Sequence, residues 1–239
     1  MLTVACVLKY GGEYDARYVR ALSRGVRKHL KPPFEFVCLS DRASDVDRDC
    51  AGLVDSTVWL DHRELPGWWA KLEVFRLSGP VLYLDLDTVI TGSLEPLADI
   101  VQLRLSERQL LMVADFYRDH PQSGILGWSC EMSAIYASFL RDYAADATWS
   151  PGRHNPGMKV AGLRFPGDGD WIRRHAAAED IDVIMAQRVI PGVVSYKVNV
   201  AERSLPVGTS VVCFHGKPRP HELSPVPEWM LKNGWKENA

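Results

Sequence analysis

The chain has 239 residues, of which 46% are hydrophobic and 24% charged, and its formal net charge is −2 at pH 7. This length and composition predict a folded globular protein with a full hydrophobic core, and they exclude a disordered or low-complexity chain. The near-neutral charge also excludes a surface that attracts nucleic acid or anionic membrane as a whole, so any such partner has to bind a local patch.

Cysteine usage and the amino-terminal segment both bear on the location of the protein. The five cysteines are odd in number and widely spaced, and most lie in apolar runs such as VACVL and VVCFH. This usage is typical of reduced core residues. The start, MLTVACVLKY, has no basic stretch before its short apolar run, and no segment reaches the ~18 apolar residues of a membrane span. We therefore expect a cytoplasmic protein without a transmembrane segment.

Apolar strand-like runs alternate with helical patterns over the first hundred residues, which indicates βαβ units on a largely parallel sheet. A first strand is predicted at residues 2–8, and a helix follows with apolar spacing over residues 19–30. Pro32-Pro33 ends this helix. A second strand is predicted at residues 34–39, and Asp41 stands at its carboxyl end, where open α/β sheets bind ligands.

The rest of the chain continues the strand and helix pattern, with a loop-rich stretch in its second half. The pattern predicts further strands at 53–60, 81–87, 110–114 and 211–214, helices at 67–77 and 139–147, and a loop-rich region at 148–169. Trp68 and Trp69 open the helix at 67–77, where tryptophans are more often core residues than ligand contacts. We expect one domain over 1–239, with a nucleotide-binding half at 1–115, an acceptor-side half at 116–220 and a tail at 221–239.

Five Asp-x-Asp pairs occur in the sequence, so the pattern by itself carries little information. Asp85 and Asp87 differ from the others because they end an apolar strand, VLYLDLD, where a period of two directs both carboxylates to the same side. Leu86 between them argues against a solvated loop. Two carboxylates at the ligand-binding end of a buried strand predict a divalent cation. The structural alternative is that they cap the strand and accept hydrogen bonds from the following turn.

A second apolar run, VVCFHGKP, also ends in a polar cluster. His215 offers an imidazole for a metal, Lys217 a cation for phosphate, and Gly216 allows a close approach of the backbone. The alternative for a lone histidine at the end of a strand is a purely structural hydrogen bond.

The run VLYLDLDTVITGSLEPL, together with the later FHGKPRP, resembles the GT-A glycosyltransferases, especially the glycogenin-like and bacterial lipooligosaccharide galactosyltransferase-like enzymes. The resemblance covers about residues 2–220. It implies a GT-A α/β fold, with a mostly parallel central sheet flanked by helices, and hexosyl transfer from a nucleotide sugar, with a UDP-sugar favoured. It also implies Mn²⁺ held by Asp85, Asp87 and His215, and a diphosphate contact from Lys217. Mixed carboxylate and imidazole ligation favours Mn²⁺ over Mg²⁺, which is the alternative ion.

The same resemblance assigns further donor-binding residues. Tyr10 and the strand end at Asp41 resemble the base and ribose pocket, and Lys71 in WWAKLEVFR resembles the basic helix residue near the donor. Leu86 and Gly216 stand with these donor-binding residues.

Two more segments resemble the acceptor and sugar side of the family. Gln122-Ser123-Gly124 resembles its Asn-Ser-Gly segment beside the acceptor, and Gly167-Asp168-Gly169-Asp170 resembles its Gly-Asp-Gln-Asp segment. This chain departs from the pattern twice, with Gln122 in place of the usual asparagine and Gly169 where an amide side chain often faces the sugar. Its contacts to the sugar therefore differ from the pattern.

An inverting reaction requires a carboxylate that acts as general base on the acceptor hydroxyl. We expect Asp168 or Asp170 in this role, with Asp115 as the second choice. The alternative for Asp168 and Asp170 is that they cap a helix that begins near Trp171. For a retaining reaction, no residue is a compelling nucleophile.

Two other functions stay open on the sequence. A nucleotidyltransferase also uses acidic residues and a divalent ion, but it needs a glycine-rich, basic phosphate loop, and residues 9–13 are a poor version of one. A catalytically silent sugar-nucleotide or glycan-binding protein is the other. The intact Asp85, Asp87 and His215 argue against it, but Gly169 leaves it open.

Basic residues cluster on the first predicted helix and in the loop-rich region. They are Arg17, Arg20, Arg24, Arg27, Lys28, Lys31, Arg153, His154, Lys159, Arg164, Arg173 and Arg174. Such clusters are usually solvated faces, but they also suit an acceptor that is an anionic glycan, a lipid-linked glycan or a nucleic acid with a modified base. The aromatic and basic tail at 229–236 suits weak docking at a membrane surface. The oligomeric state does not follow from the sequence.

Overall fold

A computed structural model describes residues 1–146, 148–149, 157–201 and 203–236 of the protein. In these ranges the strands are β1 (Leu2–Leu8), β2 (Phe34–Ser40), β3 (Ser56–Trp59), β4 (Val81–Leu84), β5 (Thr88–Ile90), β6 (Gln109–Ala114), β7 (Pro121–Trp128), β8 (Thr148–Trp149), β9 (Met158–Val160), β10 (Leu163–Phe165), β11 (Asp182–Met185), β12 (Val193–Ser195) and β13 (Val211–Cys213). The α-helices are α1 (Ala16–His29), α2 (Ala43–Asp49), α3 (Glu95–Asp99), α4 (Ser133–Asp146), α5 (Asp168–Ala178), α6 (Ala186–Val189) and α7 (Glu228–Leu231). There are also 3₁₀ helices at Gly67–Arg76 and Pro220–Glu222 and π-helical turns at Ile100–Arg104 and Tyr196–Val200.

The central sheet has seven strands in the order β11-β6-β7-β4-β1-β2-β3. Strand β1 is parallel to β2 and β4, β2 is parallel to β3, and β6 is parallel to β11. Strand β7 is antiparallel to both of its neighbours, because it returns from β6 through a short hairpin. The predicted α/β fold with a mostly parallel sheet is therefore confirmed, with one antiparallel strand inside it.

A smaller sheet joins the two motifs that carry the candidate metal ligands. Strand β5 begins directly after the Asp85-Leu86-Asp87 turn, and β13 pairs with it in antiparallel register, with Cys213 opposite Thr88. The backbone N–H of Phe214 donates to the carbonyl of Asp87 at 3.1 Å. This register places the carboxyl end of β13 beside the aspartate pair.

Two hydrophobic layers cover the two faces of the central sheet. Along β1, Val4 and Cys6 belong to the layer under α1, whereas Ala5 and Val7 belong to the layer under the 3₁₀ helix Gly67–Arg76. Strands that are buried on both faces read as nearly continuous apolar runs, which explains why the sequence located them well. The five cysteines are free, and Cys130 differs from the other four because it is only half-buried.

The segment predicted as a helix at 67–77 is a 3₁₀ helix, Gly67–Arg76, in which every residue from Trp69 to Phe75 is buried. A helix that is buried on all sides shows little amphipathic spacing, so the sequence pattern could not distinguish the helix type. The short helix predicted at 139–147 begins earlier, at Ser133 in α4. Strand β7 was not predicted as a strand.

The basic face of α1 binds other parts of the chain. Its arginine and lysine side chains contact Asp15, the carbonyl of Asp49, Asp55 and the carbonyls of Lys232 and Gly234. In the tail, the side chains of Met230 and Trp235 are buried against the core, so they are turned away from any surface on which the tail could dock. Arg153 and His154 of the second basic cluster lie outside the described residues. In the described part of the chain, no helix combines the length and the apolar character needed to cross a bilayer.

Candidate functional site

A cavity of about 660 Å³ lies where β1, β4, β6 and β13 reach their carboxyl ends. This volume suits a small-molecule ligand, and the position is the usual ligand crevice of an open α/β sheet. All but two of the metal, donor-binding, acceptor-side and catalytic residues predicted from the sequence line it. They are Tyr10, Lys71, Asp85, Leu86, Asp87, Asp115, Gln122, Ser123, Asp168, Asp170, His215 and Gly216. Asp41 and Lys217 are the two that do not line it.

Asp85 belongs to a buried group that we call the lysine cluster, formed by Lys71, Tyr83, Asp85, Ser123 and Asp168. Lys71 Nζ lies 2.9 Å from Asp85 Oδ1 and 3.0 Å from Asp168 Oδ2, and the lysine side chain is only 9% exposed. Ser123 Oγ donates to Asp168 Oδ2 at 2.7 Å, and Tyr83 donates to Asp85 Oδ1 at 2.5 Å. One buried ammonium group is thus shared by the buried carboxylate of Asp168 and the half-buried carboxylate of Asp85.

The charges of the lysine cluster shift the pKa values of its members. Burial alone would lower the pKa of Lys71, but the carboxylates of Asp168 and Asp85 raise it above its ordinary value. Burial raises the pKa of Asp85, while Lys71 opposes that shift. Lys71 therefore stays protonated.

Asp87 belongs to a second group, the arginine cluster, formed by Glu13, Tyr14, Asp87, Lys217 and Arg219. Arg219 Nη1 lies 2.5 Å from Asp87 Oδ2, and its Nε lies 2.8 Å from Glu13 Oε2. Tyr14 donates to Asp87 Oδ2 at 2.8 Å. Burial, and after it the negative charge of Asp85, raise the pKa of Asp87 to about 6, against the opposing charge of Arg219. The charge of Asp87 is therefore only partly compensated.

Arg219 lines the cavity beside Asp87, whereas Lys217 does not line it. Lys217 is 62% exposed and binds Glu13 and Glu222 at the surface, whereas Arg219 lines the cavity. The two residues alternate with prolines in the run KPRP. The carboxylates of Glu13 and Glu222 keep the lysine at the surface. The sequence already contained this second cation, because Arg219 is only two residues beyond Lys217.

His215 is half-buried and held by three neighbours. Its Nε2 lies 2.6 Å from Ser195 Oγ, its ring stacks on Phe116 with a centroid distance of 5.3 Å, and Tyr117 meets it edge-on. Burial, and after it the charge of Lys197, lower the pKa of His215. The imidazole is therefore neutral near pH 7, as a metal ligand must be, and its hydrogen bond to Ser195 orients the ring.

Two carboxylates and a neutral imidazole on one cavity fit Mn²⁺ in their chemistry, and the raised pKa values of Asp85 and Asp87 show negative charge that a cation would offset. As they stand, no three His, Cys, Asp or Glu side chains in the described residues converge closely enough to hold a metal ion. Lys71 binds Asp85, and Arg219 binds Oδ2 of Asp87. A metal ion at these carboxylates would therefore compete with the two cations.

Tyr10 lies in the cavity and is positioned by Asp41, which lies outside it. Asp41 Oδ1 accepts a hydrogen bond from the backbone N–H of Tyr10 at 3.0 Å, and Oδ2 binds Lys9 Nζ at 2.8 Å. The guanidinium of Arg42 stands 4.6 Å from the centroid of the Tyr10 ring. The hydroxyl of Tyr10 is buried without a hydrogen-bond partner in the described residues, and burial raises its pKa to about 12.

The three candidate general bases differ in their surroundings. Asp168 and Asp170 lie in the first turn of α5, but their carboxylates bind Lys71 and Arg173 respectively, and no side-chain capping bond forms at the start of this helix. Asp115 Oδ1 accepts the backbone N–H groups of residues 117 and 118, so this carboxylate holds the turn between β6 and β7. Neither aspartate therefore caps α5 through a side-chain hydrogen bond, although both stand in its acidic first turn, as the structural alternative predicted.

The paired tryptophans separate into two roles. Trp69 is fully buried and stacks on Phe139, as expected for a core residue. Trp68 is 36% exposed, lines the cavity and stands next to Gly167 at the start of α5. The sequence interpretation of both as core residues was therefore wrong for Trp68, because consecutive residues of a 3₁₀ helix point in different directions.

No family model matches the sequence, and no curated protein matches it either. Solved structures do match the fold. The glycosyltransferase GlyE of Streptococcus pneumoniae TIGR4 has 14% identity and a TM-score of 0.62, over 98% of this chain and 60% of GlyE. The galactosyltransferase LgtC, solved with donor and acceptor sugar analogs, has 14% identity and a TM-score of 0.61, over 97% of this chain and 95% of LgtC.

The bifunctional glycosyltransferase WbbM has 11% identity and a TM-score of 0.61, over 97% of this chain and 49% of WbbM. The chain thus spans less than two thirds of GlyE and of WbbM. The fold predicted from the sequence, that of GT-A-like lipooligosaccharide glycosyltransferases, is confirmed.

Proposed function

We propose that the protein is a metal-dependent glycosyltransferase that moves a hexose from a nucleotide-diphosphate sugar, with a UDP-sugar favoured, to an acceptor hydroxyl. One observation carries the proposal. Asp85, Asp87 and His215 reach one cavity from two distant parts of the sequence, at the carboxyl ends of the strands of a glycosyltransferase fold. A donor of this class brings a diphosphate, and the site offers the cation ligands and the guanidinium that a diphosphate needs.

The nucleoside end of the donor is proposed to lie against Tyr10. Arg42 packs on its ring and Asp41 accepts from its backbone N–H, and the residue lines the cavity, so its ring is available to a base. Aromatic rings give stacking area at low cost in side-chain entropy. This arrangement supports binding of a nucleoside and leaves the identity of the base to experiment.

The diphosphate end is proposed to lie between the two clusters. The negative charge of a nucleoside diphosphate grows as the bond to the sugar breaks, so positive groups that are already in place lower the barrier. Arg219 supplies a planar guanidinium that can bind two phosphate oxygens at once, in the role that the sequence assigned to Lys217. A bound Mn²⁺ would add Lewis-acid neutralisation through Asp85, Asp87 and His215.

Asp170 is the better candidate for a general base if the reaction inverts the anomeric carbon. The carboxylate of Asp168 is already engaged, because it pairs with Lys71 and accepts a hydrogen bond from Ser123. Asp170 lines the cavity, and its ion pair with Arg173 is partly exposed, with the two side chains 27% and 36% accessible. A hydroxyl within hydrogen-bond reach of Asp170 could therefore pass its proton to this carboxylate.

The acceptor is proposed to be an anionic or lipid-linked glycan. Lys159 and Arg164 are exposed and lie opposite each other on β9 and β10, in the half of the chain assigned to the acceptor. Two adjacent cations suit a phosphate or carboxylate group better than a neutral chain. A nucleic acid with a modified base is the other anionic acceptor that such a patch suits.

The test is a screen of nucleotide sugars for binding and for slow hydrolysis, with and without Mn²⁺. The variants are Asp85→Asn/Asp87→Asn and, as a matched control, Asp47→Asn/Asp49→Asn, which changes an exposed Asp-x-Asp pair outside the cavity. We expect Mn²⁺-dependent release of a nucleoside diphosphate that the first variant loses and the control keeps. Hydrolysis that does not depend on Mn²⁺, or is equal in both variants, would contradict the metal assignment.

A sugar-nucleotide-binding protein without transferase activity is a second candidate. It is favoured by the cations that already neutralise the aspartate pair, since Lys71 and Arg219 leave less need for a metal ion. The same screen separates the two functions. Tight binding of a nucleotide sugar without release of the diphosphate, with any acceptor tested, would favour the binding protein.

A further inference from the structure

Arg219 reaches the cavity from the start of a short 3₁₀ helix. The residue directly precedes the helix Pro220–Glu222, and its backbone N–H donates to Glu222 Oε2 at 2.6 Å. Its guanidinium binds Asp87 and Glu13. Because the long side chain starts from this backbone, the position of the guanidinium depends on where the 3₁₀ helix is held.

Tyr18 of α1 holds this 3₁₀ helix from outside the cavity. Its hydroxyl forms a hydrogen bond with Nδ1 of His221, the middle residue of the 3₁₀ helix, and the two rings meet edge-on with a centroid distance of 5.7 Å. Tyr18 is fully buried, whereas His221 is exposed. A buried hydroxyl that loses its partner is costly, so this bond favours one position of the 3₁₀ helix.

The ring of Tyr18 is itself fixed on two sides. Tyr14 meets it edge-on with a centroid distance of 4.7 Å, and Trp235 meets it edge-on at 5.0 Å. Tyr14 lines the cavity and donates to Asp87, and Trp235 is a buried residue of the tail. Edge-to-face packing of aromatic rings restricts their orientation. Tyr18 thus connects the end of the tail, the 3₁₀ helix and the wall of the cavity.

The tail lies close enough to α1 to keep these contacts in place. A Cβ atom at Gly234 would lie 2.5 Å from the carbonyl oxygen of Ala21, so only glycine allows this approach. Asn233 is buried, and its Oδ1 lies 2.7 Å from Nε2 of His29. The side of the ring of Tyr18 that faces the tail is therefore supported by a closely packed segment.

We infer that Tyr18 is a positioning residue for the diphosphate end of the donor. Through His221 it fixes the backbone from which Arg219 reaches into the cavity, while the guanidinium stays able to exchange Asp87 for phosphate oxygens. A side chain that is held in place before the ligand arrives loses less entropy on binding. The inference rests on the proposed function and adds to it a residue that acts only through its neighbours.

The test measures the affinities for UDP and for uridine by calorimetry in the presence of Mn²⁺. Uridine carries no phosphate, so it reports on the base pocket alone. The variants are Tyr18→Phe, His221→Ala, Arg219→Gln and the double mutant Tyr18→Phe/Arg219→Gln. The control is Tyr136→Phe, which removes a buried hydroxyl that lies outside the cavity and has no hydrogen-bond partner in the described residues.

The change at Tyr18 should leave the fold intact. Phenylalanine keeps the ring contacts with Tyr14 and Trp235, and water can solvate the exposed imidazole of His221. We expect Tyr18→Phe and His221→Ala each to weaken UDP binding about fivefold and to alter uridine binding by less than about twofold.

The double mutant shows whether Tyr18 acts through Arg219. Tyr18→Phe should cost no UDP affinity beyond that lost in Arg219→Gln, because both changes disturb the same contact with the diphosphate. A residue that only stabilises the fold would weaken UDP binding in both backgrounds and would weaken uridine binding as well. Tyr136→Phe should behave as the wild type does.

Three results would overturn the inference while leaving the proposed function intact. They are unchanged UDP binding in Tyr18→Phe, equal losses for UDP and uridine, and losses that add in the double mutant. A wild type that does not bind UDP would instead overturn the proposed function with a UDP-sugar, and the inference with it.

Discussion

The two aspartates of the Asp85-Leu86-Asp87 turn stand two residues apart, yet their negative charges are balanced by different cations. In the lysine cluster, Asp85 shares with Asp168 an ammonium that comes from a 3₁₀ helix buried on all sides. In the arginine cluster, Asp87 meets a guanidinium from a segment near the carboxyl terminus, and this cation also binds the partly exposed Glu13.

The difference shows which cation is structural and which can be exchanged. Lys71 cannot leave without stranding the buried carboxylate of Asp168 and the half-buried one of Asp85, and a stranded buried charge is costly. Arg219 can leave Asp87 and keep Glu13 as a partner, so a ligand or a metal ion can take its place at lower cost. We therefore expect the lysine cluster to maintain the site and the arginine cluster to respond to ligands.

Removing the structural cation should have the largest effect. Lys71→Met leaves Asp85 and Asp168 without their shared ammonium, and we expect a loss of about 3–5 kcal/mol in the free energy of unfolding. Urea denaturation measures this loss, and Lys159→Met, which removes an exposed lysine, is the control. A loss no greater than that of the control would show that the lysine cluster is not structural.

The second-largest effect should be a gain in the free energy of unfolding. Asp87→Asn removes a buried carboxylate whose pKa is raised to about 6, so the metal-free protein should gain about 1–3 kcal/mol in stability. The same change should abolish Mn²⁺-dependent hydrolysis, as expected when a functional residue opposes stability. Thermal unfolding in a metal chelator measures the gain, and a less stable variant would mean that the contact with Arg219 outweighs the burial of Asp87.

The gain from Asp87→Asn should depend on pH. The folded-state pKa of Asp87, about 6, lies above its ordinary value of 3.8, so protonation favours the folded state. The stabilisation of the wild type by this protonation is fully present below about pH 4 and is lost as the pH rises through about 6. The two proteins should therefore be equally stable near pH 4 and differ most above pH 7. A difference that does not change with pH would refute the assignment of the raised pKa.

Removing the exchangeable cation should have a smaller effect that a metal ion reverses. Arg219→Gln should cost about 1–2 kcal/mol in the free energy of unfolding, because Asp87 keeps its bond from Tyr14. Added Mn²⁺ should restore this stability in Arg219→Gln and fail to restore it in Lys71→Met. If Mn²⁺ rescues both variants or neither, the two clusters do not differ in the way proposed.

The smallest effect is expected at Lys217. This side chain is exposed and paired with surface carboxylates, so Lys217→Gln should leave the melting temperature unchanged and alter the affinity for UDP by less than about twofold. Arg219→Gln should weaken UDP binding by more than that. If calorimetry shows that both variants lose the same affinity for UDP, Lys217 contacts the diphosphate after all.

The sequence was sufficient for the parts of the molecule that local patterns encode. Strand β1 was predicted with the bounds that it has in the structure, and the aspartate pair was placed correctly at the end of β4. Both succeeded because a strand buried on two faces is a continuous apolar run, and a polar residue at its end is therefore conspicuous. The helix type at Gly67–Arg76 was not predictable in this way, because burial on all sides removes the amphipathic pattern.

By itself, then, the sequence determined the α/β fold, the position of the aspartate pair and the second polar cluster at His215. Only the tertiary structure decided which cation meets which carboxylate. In the structure Arg219 lines the cavity and Lys217 does not, and Asp41 binds the backbone of Tyr10 from outside the cavity. The side chain of Gln122 occupies the space beside Gly169. The physical reason is that these contacts depend on distances between segments far apart in the chain. Such distances follow from strand register and packing, and neither is visible in the spacing of residues along one segment.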